Sequence, residues 1–210
     1  MATGGDREPD RGLSLNQRRI RASRLEAAQS ALVLLERDGW EAIGVAELAA
    51  AAGLSTRTFH RYFPSKRDVF RPLLEAARIA SCAQFEAAEG LPLPRRCGEA
   101  VITGVDVFRG GLLGGHRAYR LLLTTTELSP VWLDEALHFE RALVDLVPTD
   151  VFARRQGSLK GERVNEARLA AAVLFAAMRV AMQTWAEGED PRALRSLIER
   201  AVERVAGTQT

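Results

Sequence analysis

The chain has 210 residues, 47% hydrophobic and 27% charged, a balance that excludes an intrinsically disordered or fibrous protein and allows a core for one or two domains. The longest charge-free stretch in a hydrophobic segment, Leu169 to Met178 between Arg168 and Arg179, is about half of the ~20 residues that cross a bilayer, so no membrane span is expected. The net charge of +2 hides an asymmetry: residues 1–70 hold 11 Lys/Arg against 9 Asp/Glu, whereas residues 71–210 hold 18 of each.

Residues 1–14 carry Asp6, Arg7, Glu8, Asp10 and Arg11 without an apolar run, which predicts a disordered arm, no secretory signal and a cytoplasmic protein. Ala28, Ala31, Leu32 and Leu35 fall at i, i+3, i+4, i+7 and predict a helix over about 16–37, ended by Gly39. Val45, Leu48, Ala49 and Ala52 repeat that face for two turns before Gly53. Ser55 is placed as the N-cap of a third short helix through Phe63, and Pro64 stops it. Ser65, with Asp68 three residues on, opens a longer helix to about Glu89. Leu91, Pro92 and Pro94 predict a linker, and a helix over about 95–109 comes next. Gly110, Gly111, Gly114 and Gly115 predict a break, then a helix of about ten residues from His116 and a pair of helices from Pro130 to Val147. Residues 149–161 read as a loop. The last helices are expected over about 162–186 and 191–206, with Pro191 at the first helical position of the second. No segment alternates as a strand does, so the expected fold is all-α. Cys82, on a helix-like stretch, and Cys97, in an expected loop, lack CxxC spacing and predict unpaired thiols.

The basic excess is clustered. Arg11, Arg18, Arg19, Arg21 and Arg24 form one acid-free run, and Arg57, Arg61, Lys66 and Arg67 a second. Such surfaces neutralise phosphates, although charge alone reads equally well as two solvated faces. Two short helices joined at Gly53, Leu54 and Ser55 have helix-turn-helix spacing, with Ala49 small enough for close approach. Phe59 and Phe63, at i and i+4, then point inward. Thr56, Arg57, His60 and Arg61 point outward, able to donate to bases or phosphates.

The run Gly39-Trp40, Val45-Ala46-Glu47-Leu48-Ala49 and Ala52-Gly53-Leu54-Ser55-Thr56-Arg57-Thr58-Phe59-His60-Arg61-Tyr62-Phe63-Pro64-Ser65-Lys66 resembles the DNA-binding domain of the TetR family, over about residues 16–70. The resemblance implies that Tyr62 and Lys66 hold phosphates and that the third helix, with Thr58 among its residues, supplies base contacts. It also implies a homodimeric all-α protein: a helix-turn-helix domain over 15–64 and a helical regulatory and dimerisation domain over 65–210, releasing an operator when a small molecule binds. Three positions depart from the family pattern. Gly44 replaces the capping threonine, Arg57 replaces a glycine and His60 a tyrosine. Arg57 thereby gains the reach to read a guanine or hold a phosphate.

In the helix over about 162–186, Phe175, Met178, Met182 and Trp185 share one face, while Val173, Ala177, Val180 and Thr184 occupy another. A helix apolar on two sides needs cover on two sides, which predicts a partner subunit across this helix and the last one, with its Leu194, Leu197, Ile198, Ala201, Val202 and Val205. Phe108, His116, Trp132, Phe139, Phe175, Met178, Met182 and Trp185 are the candidate lining of a cavity for a hydrophobic or acyl-bearing effector, with His116, Thr124, Thr125 or Gln183 as orienting polar groups. No catalytic constellation, metal-ligand spacing or cofactor fingerprint stands in the sequence. The reading is a ligand-responsive DNA-binding regulator that represses from a palindromic operator; a helical ligand-binding or adaptor module that never meets DNA ranks second.

Overall fold

The computed structural model describes residues 12–108, 111–147 and 160–206. The expected arm up to residue 11 and nearly all of the expected loop over 149–161 lie outside them. Every regular element among the described residues is helical, as the periodicity requires. The chain divides into two compact units, Met1–Leu73 and Leu74–Thr210.

In the first unit α1 spans Leu15–Asp38 and starts with a reciprocal cap: the Gln17 N–H donates to Ser14 Oγ at 3.2 Å and the Ser14 N–H donates to Gln17 Oε1 at 2.8 Å. Gly39 ends it at φ +77°, a conformation that favours glycine. α2 spans Val45–Ala51 and α3 spans Thr56–Tyr62. The predicted start at Ser65 is present, with its N–H donating to Asp68 Oδ2 at 2.9 Å. It opens a 3-10 turn over Lys66–Phe70, and only after that turn does α4 run, Arg71–Ala87. Pro72 explains the two stages, because a proline fits the first turn of a helix and would break one begun at Ser65. Val69, Phe70 and Leu73 are fully buried.

In the second unit α5 spans Leu93–Val105, α6 Gly111–Thr124, α7 Ser129–Leu146, α8 Lys160–Glu187 and α9 Leu194–Ala206. Three expectations need correction. α6 begins before His116 and takes Gly114 and Gly115 into its body. A Cβ on Gly115 would stand 2.2 Å from Val105 Cγ1, so this glycine serves a close helix crossing. The pair expected between Pro130 and Val147 is one helix, since no glycine or proline stands between Pro130 and Pro148. Cys97 is in α5, fully buried, not in a loop. Both cysteines are free thiols, and burial pushes that of Cys97 up to about 12.

α8 is the centre of this unit and touches α6, α7 and α9. Asn165–Glu187 is long and apolar enough to cross a membrane by length and composition, so a charge-free stretch is too strict a test. Its apolar content has another use, because Leu174, Phe175, Met178, Ala181 and Trp185 are buried among neighbouring helices. The Trp185 indole N–H donates to the Pro191 carbonyl at 2.8 Å. α9 is fixed to α5 by an Arg195–Glu99 fork at 2.5 and 3.2 Å, which holds the Glu99 carboxyl below the usual carboxylate range. Gly104 meets α4 at a second close crossing: a Cβ there would lie 2.1 Å from Ser81 Oγ and 2.9 Å from the Ala77 carbonyl oxygen.

Alanine in a helix interior normally gains up to about 1 kcal/mol over glycine. Gly104→Ala is expected to reverse that sign and lower stability by about 1–3 kcal/mol through overpacking, while Gly90→Ala, with nothing within 4 Å, stays within about 0.5 kcal/mol. Urea denaturation of the two variants measures both.

Candidate nucleic-acid interface and ligand cavity

The turn between α2 and α3 is closed by backbone hydrogen bonds, Gly53 N to Ala50 O at 3.0 Å and Leu54 N to Ala49 O at 2.8 Å. Gly53 sits at φ +65°, where a side chain would be strained. Gly44 has no side chain to cap α2, and Glu47 compensates: its Oε2 accepts from the Gly44 N–H at 2.7 Å. α3 is capped by Ser55, whose Oγ accepts from the Thr58 N–H at 3.1 Å and whose hydroxyl donates to Thr58 Oγ1 at 3.0 Å. Thr58 is thereby half-buried and committed to the cap.

Seven residues cannot hold a helix in water. α3 is held by Phe59 and Phe63, both wholly buried with ring centroids 4.9 Å apart. The opposite face carries Thr56, Arg57, His60 and Arg61, all exposed and none facing an acidic residue on α3. Tyr62 is half-buried at the end of the helix, with the Arg61 guanidinium 5.3 Å from its ring centre.

The α1 arginines separate. Arg18 and Arg19 are exposed, Arg21 is half-buried with a partner of its own, and Arg24 is half-buried with its guanidinium 5.7 Å from the Phe63 ring centre. Lys66 has a second role that its motif position does not reveal. Its ammonium donates to the Trp40 carbonyl at 2.6 Å and lies 3.7 Å from the Trp40 ring centre. A lysine ammonium has three donors, so this strap leaves others for an anion.

The second unit contains a partly open cavity of about 60 Å³. Among the eight candidate residues, Trp132, Phe139, Phe175 and Met182 line it. Phe108, His116, Met178 and Trp185 lie in the core outside its lining. His116 Nε2 is 2.9 Å from the Trp185 carbonyl oxygen and 3.1 Å from that of Gly188, a tie between α6 and the end of α8. Thr124, Thr125 and Gln183 are likewise absent from the walls. Thr124 donates to Arg120 O at 2.7 Å, and Gln183 Oε1 accepts from Arg179 at 3.0 Å.

The polar groups of the cavity are ones that no sequence motif singles out: Arg78 and Ser81 of α4, Tyr119 of α6 and Glu135 of α7. Arg78 Nε donates to Glu135 Oε2 at 3.4 Å across 57 residues of sequence, a separation that no local pattern reports. Burial pushes the Tyr119 phenol well above its usual value, so it is a neutral hydroxyl. Asp134, Glu135 and His138 of α7 hold potential ligand atoms within 4.8 Å of one another, with the Arg78 guanidinium beside them.

The two faces predicted for α8 are distinct. Phe175, Met178 and Trp185 are buried, whereas Val180 is 52% exposed and Val173 and Ala177 are partly open. α9 divides the same way, with Leu194, Ile198 and Val202 buried and Leu197, Ala201 and Val205 half-open. The open halves adjoin in one apolar groove rimmed by Arg200 and Arg204.

Residues 29–73 match the model of a family described as bacterial regulatory proteins, tetR family. The fold is similar to that of a TetR-family transcriptional regulator from Rhodococcus sp., at TM-score 0.55 and 16% identity, covering 90% of this chain and 99% of that one. It is also similar to a TetR-family regulator from Mesorhizobium loti MAFF303099, at TM-score 0.51 and 15% identity over 90% of this chain and 98% of that one. No curated protein matches the sequence.

Phe59→Ala removes an aromatic side chain that is wholly buried, which costs about 3–5 kcal/mol. The first unit is expected to lose cooperative unfolding and protection from proteolysis, while His60→Ala, on the exposed face, leaves the melting curve within about 0.5 kcal/mol of the wild type.

Proposed function

We propose that this chain, whose residues 29–73 match the model of the tetR family of bacterial regulatory proteins, is a cytoplasmic homodimeric repressor that binds a palindromic operator and leaves it when a small hydrophobic effector enters the second unit. The observation that carries the reading is the divided α3: Phe59 and Phe63 anchor one side in the core and Thr56, Arg57, His60 and Arg61 are exposed on the other. An α-helix fits the major groove, and these side chains are donors suited to base edges and phosphates.

Within this reading Arg57 reads a guanine through its O6 and N7, a contact worth about 1–3 kcal/mol of discrimination. Tyr62 and Lys66 bind phosphates and fix the register, and the α1 arginines Arg18, Arg19 and Arg21 extend the contact along the backbone. The Trp40 strap supports the Lys66 role, because it holds the ammonium near one place before DNA arrives. Regulation requires the effector to bind more tightly to the conformer that does not fit DNA, since equal affinity for both shifts nothing.

Selection of duplexes from a random library is expected to return a palindrome with half-sites about 34–36 Å apart or a multiple of that. Lys66→Ala is expected to weaken binding to all duplexes and reduce the salt slope by about one unit. Arg57→Ala relaxes one base position. An equal loss on specific and random DNA for Arg57→Ala removes the base-reading role, and absence of salt-sensitive binding to any duplex removes the function.

The open faces of α8 and α9 are the proposed dimer interface, continuous and apolar where Val173, Ala177, Val180, Leu197, Ala201 and Val205 meet. Light scattering at micromolar concentration is expected to give twice the 23.0 kDa chain mass, and Val180→Glu to give monomers with weakened operator binding. A wild-type monomer overturns the dimer.

A further inference from the structure

We infer that the effector cavity selects an organic cation, a ligand with a positively charged nitrogen on an apolar body, and that Glu135 is the residue that recognises it. The inference rests on the reading of the cavity as the effector site and assigns the chemistry of what enters.

The choice of ligand charge turns on which of the two opposite charges in the cavity is fixed. Glu135 projects from the body of α7 with its side chain 9% exposed, so the carboxylate stays at the cavity wall. Arg78 is 25% exposed at its side chain, is long and flexible, and meets Glu135 through Nε at 3.4 Å. That is well beyond the ~2.7–2.9 Å of a tight charge-assisted bond. Arginine can carry its head to water while its stem stays on apolar surface. A ligand therefore competes with a mobile cation for an immobile anion. If a cation enters, Arg78 moves out to solvent and Glu135 keeps a partner. If an anion enters, it sits beside the buried Glu135, and two like charges in one low-dielectric site raise the cost of both. On the outer side of the same carboxylate stand Asp134 and His138, the His138 Nδ1 at 3.9 Å from Glu135 Oε2, and neither lines the cavity.

The walls agree with the charge. Tyr119, Trp132, Phe139 and Phe175 line the cavity, with Phe139 and Phe175 edge to face at 6.1 Å. Aromatic faces attract cations, most strongly when water is excluded. The size agrees also. At about 60 Å³ the space is far below the ~300 Å³ of a small ligand site, so entry needs a side chain to yield. Arg78, with a quarter of its side chain already exposed, is the charged lining group able to swing its head into solvent. Each step pairs a polar event with an apolar one: the cation takes the carboxylate, and the guanidinium it displaces vacates room for the ligand body.

Three phenyl-bearing probes separate charge from apolar burial: benzyltrimethylammonium, its uncharged carbon isostere neopentylbenzene, and the anion 4-phenylbutyrate. Calorimetry and tryptophan fluorescence on the full chain are expected to show the cation binding tightest. Glu135→Gln is expected to weaken the cation by about tenfold or more and to leave neopentylbenzene within about twofold, which also reports an intact fold. Arg78→Met is expected to tighten the cation, because its competitor is gone. Preference for 4-phenylbutyrate, with loss of that binding in Arg78→Met, overturns the cation assignment and leaves the effector cavity standing. Equal binding of the cation to wild type and Glu135→Gln overturns the role of Glu135. Failure of all three probes to bind, or binding indifferent to Trp132→Ala, overturns the cavity as an effector site.

Discussion

The first unit of this protein depends on the burial of two phenylalanines one helical turn apart. α3 has seven residues, too few to be stable alone, and four of them carry exposed polar or charged side chains that contribute nothing to its folding. Phe59 and Phe63 supply what is missing, each wholly buried and in contact with the other. The Ser55 cap and the left-handed Gly53 set where the helix begins, but those are local terms of about 1 kcal/mol each. Aromatic burial of several kcal/mol holds the helix in place and thereby leaves Thr56, Arg57, His60 and Arg61 on its exposed face.

The second unit is organised by a different constraint, the demand of α8 for cover on two sides. One side is met inside the chain: Leu174, Phe175, Met178 and Trp185 disappear beneath α6, α7 and the segment before α9. The other is only partly met, since α9 buries Leu194, Ile198 and Val202 and leaves its next stripe open with Val180. Covering that stripe with a second chain removes apolar surface from water without new polar cost, apart from Arg200 and Arg204 at the rim. The same helix also serves the cavity through Phe175 and Met182. The element proposed for pairing subunits is thus one wall of the cavity proposed for the effector, so the two proposed roles share one helix.

Glycine shows how a residue type acquires meaning from its neighbours. Gly53 and Gly39 serve as turn and cap, as their places in the sequence imply, with φ of +65° and +77°. Gly104 and Gly115 lie within helices and lack side chains because Ser81, Ala77 and Val105 fill that space. A helix that accepts the propensity cost of glycine, about 1 kcal/mol each, gains closer packing than any other residue permits.

Interactions within four residues of chain account for the helical periods, the stops at Gly39, Gly53 and Pro64, the caps at Ser55 and Ser65, and the inward pair Phe59 and Phe63, so all of these were legible in the amino-acid order. The run from Gly39 through Lys66 that resembles the TetR family, and that overlaps the matched residues 29–73, was legible there too. Packing over longer range places Gly114 and Gly115 in α6, ties Lys66 to the Trp40 carbonyl 26 residues away, and turns Trp132 and Phe139 to a cavity while Phe108 and Trp185 become plain core. Arg78 and Glu135, the charges of that cavity, stand 57 residues apart on helices whose local patterns treat both as ordinary surface residues. Their pairing comes from how α4 and α7 pack, a matter of side-chain volume and distant contact that no helical period encodes.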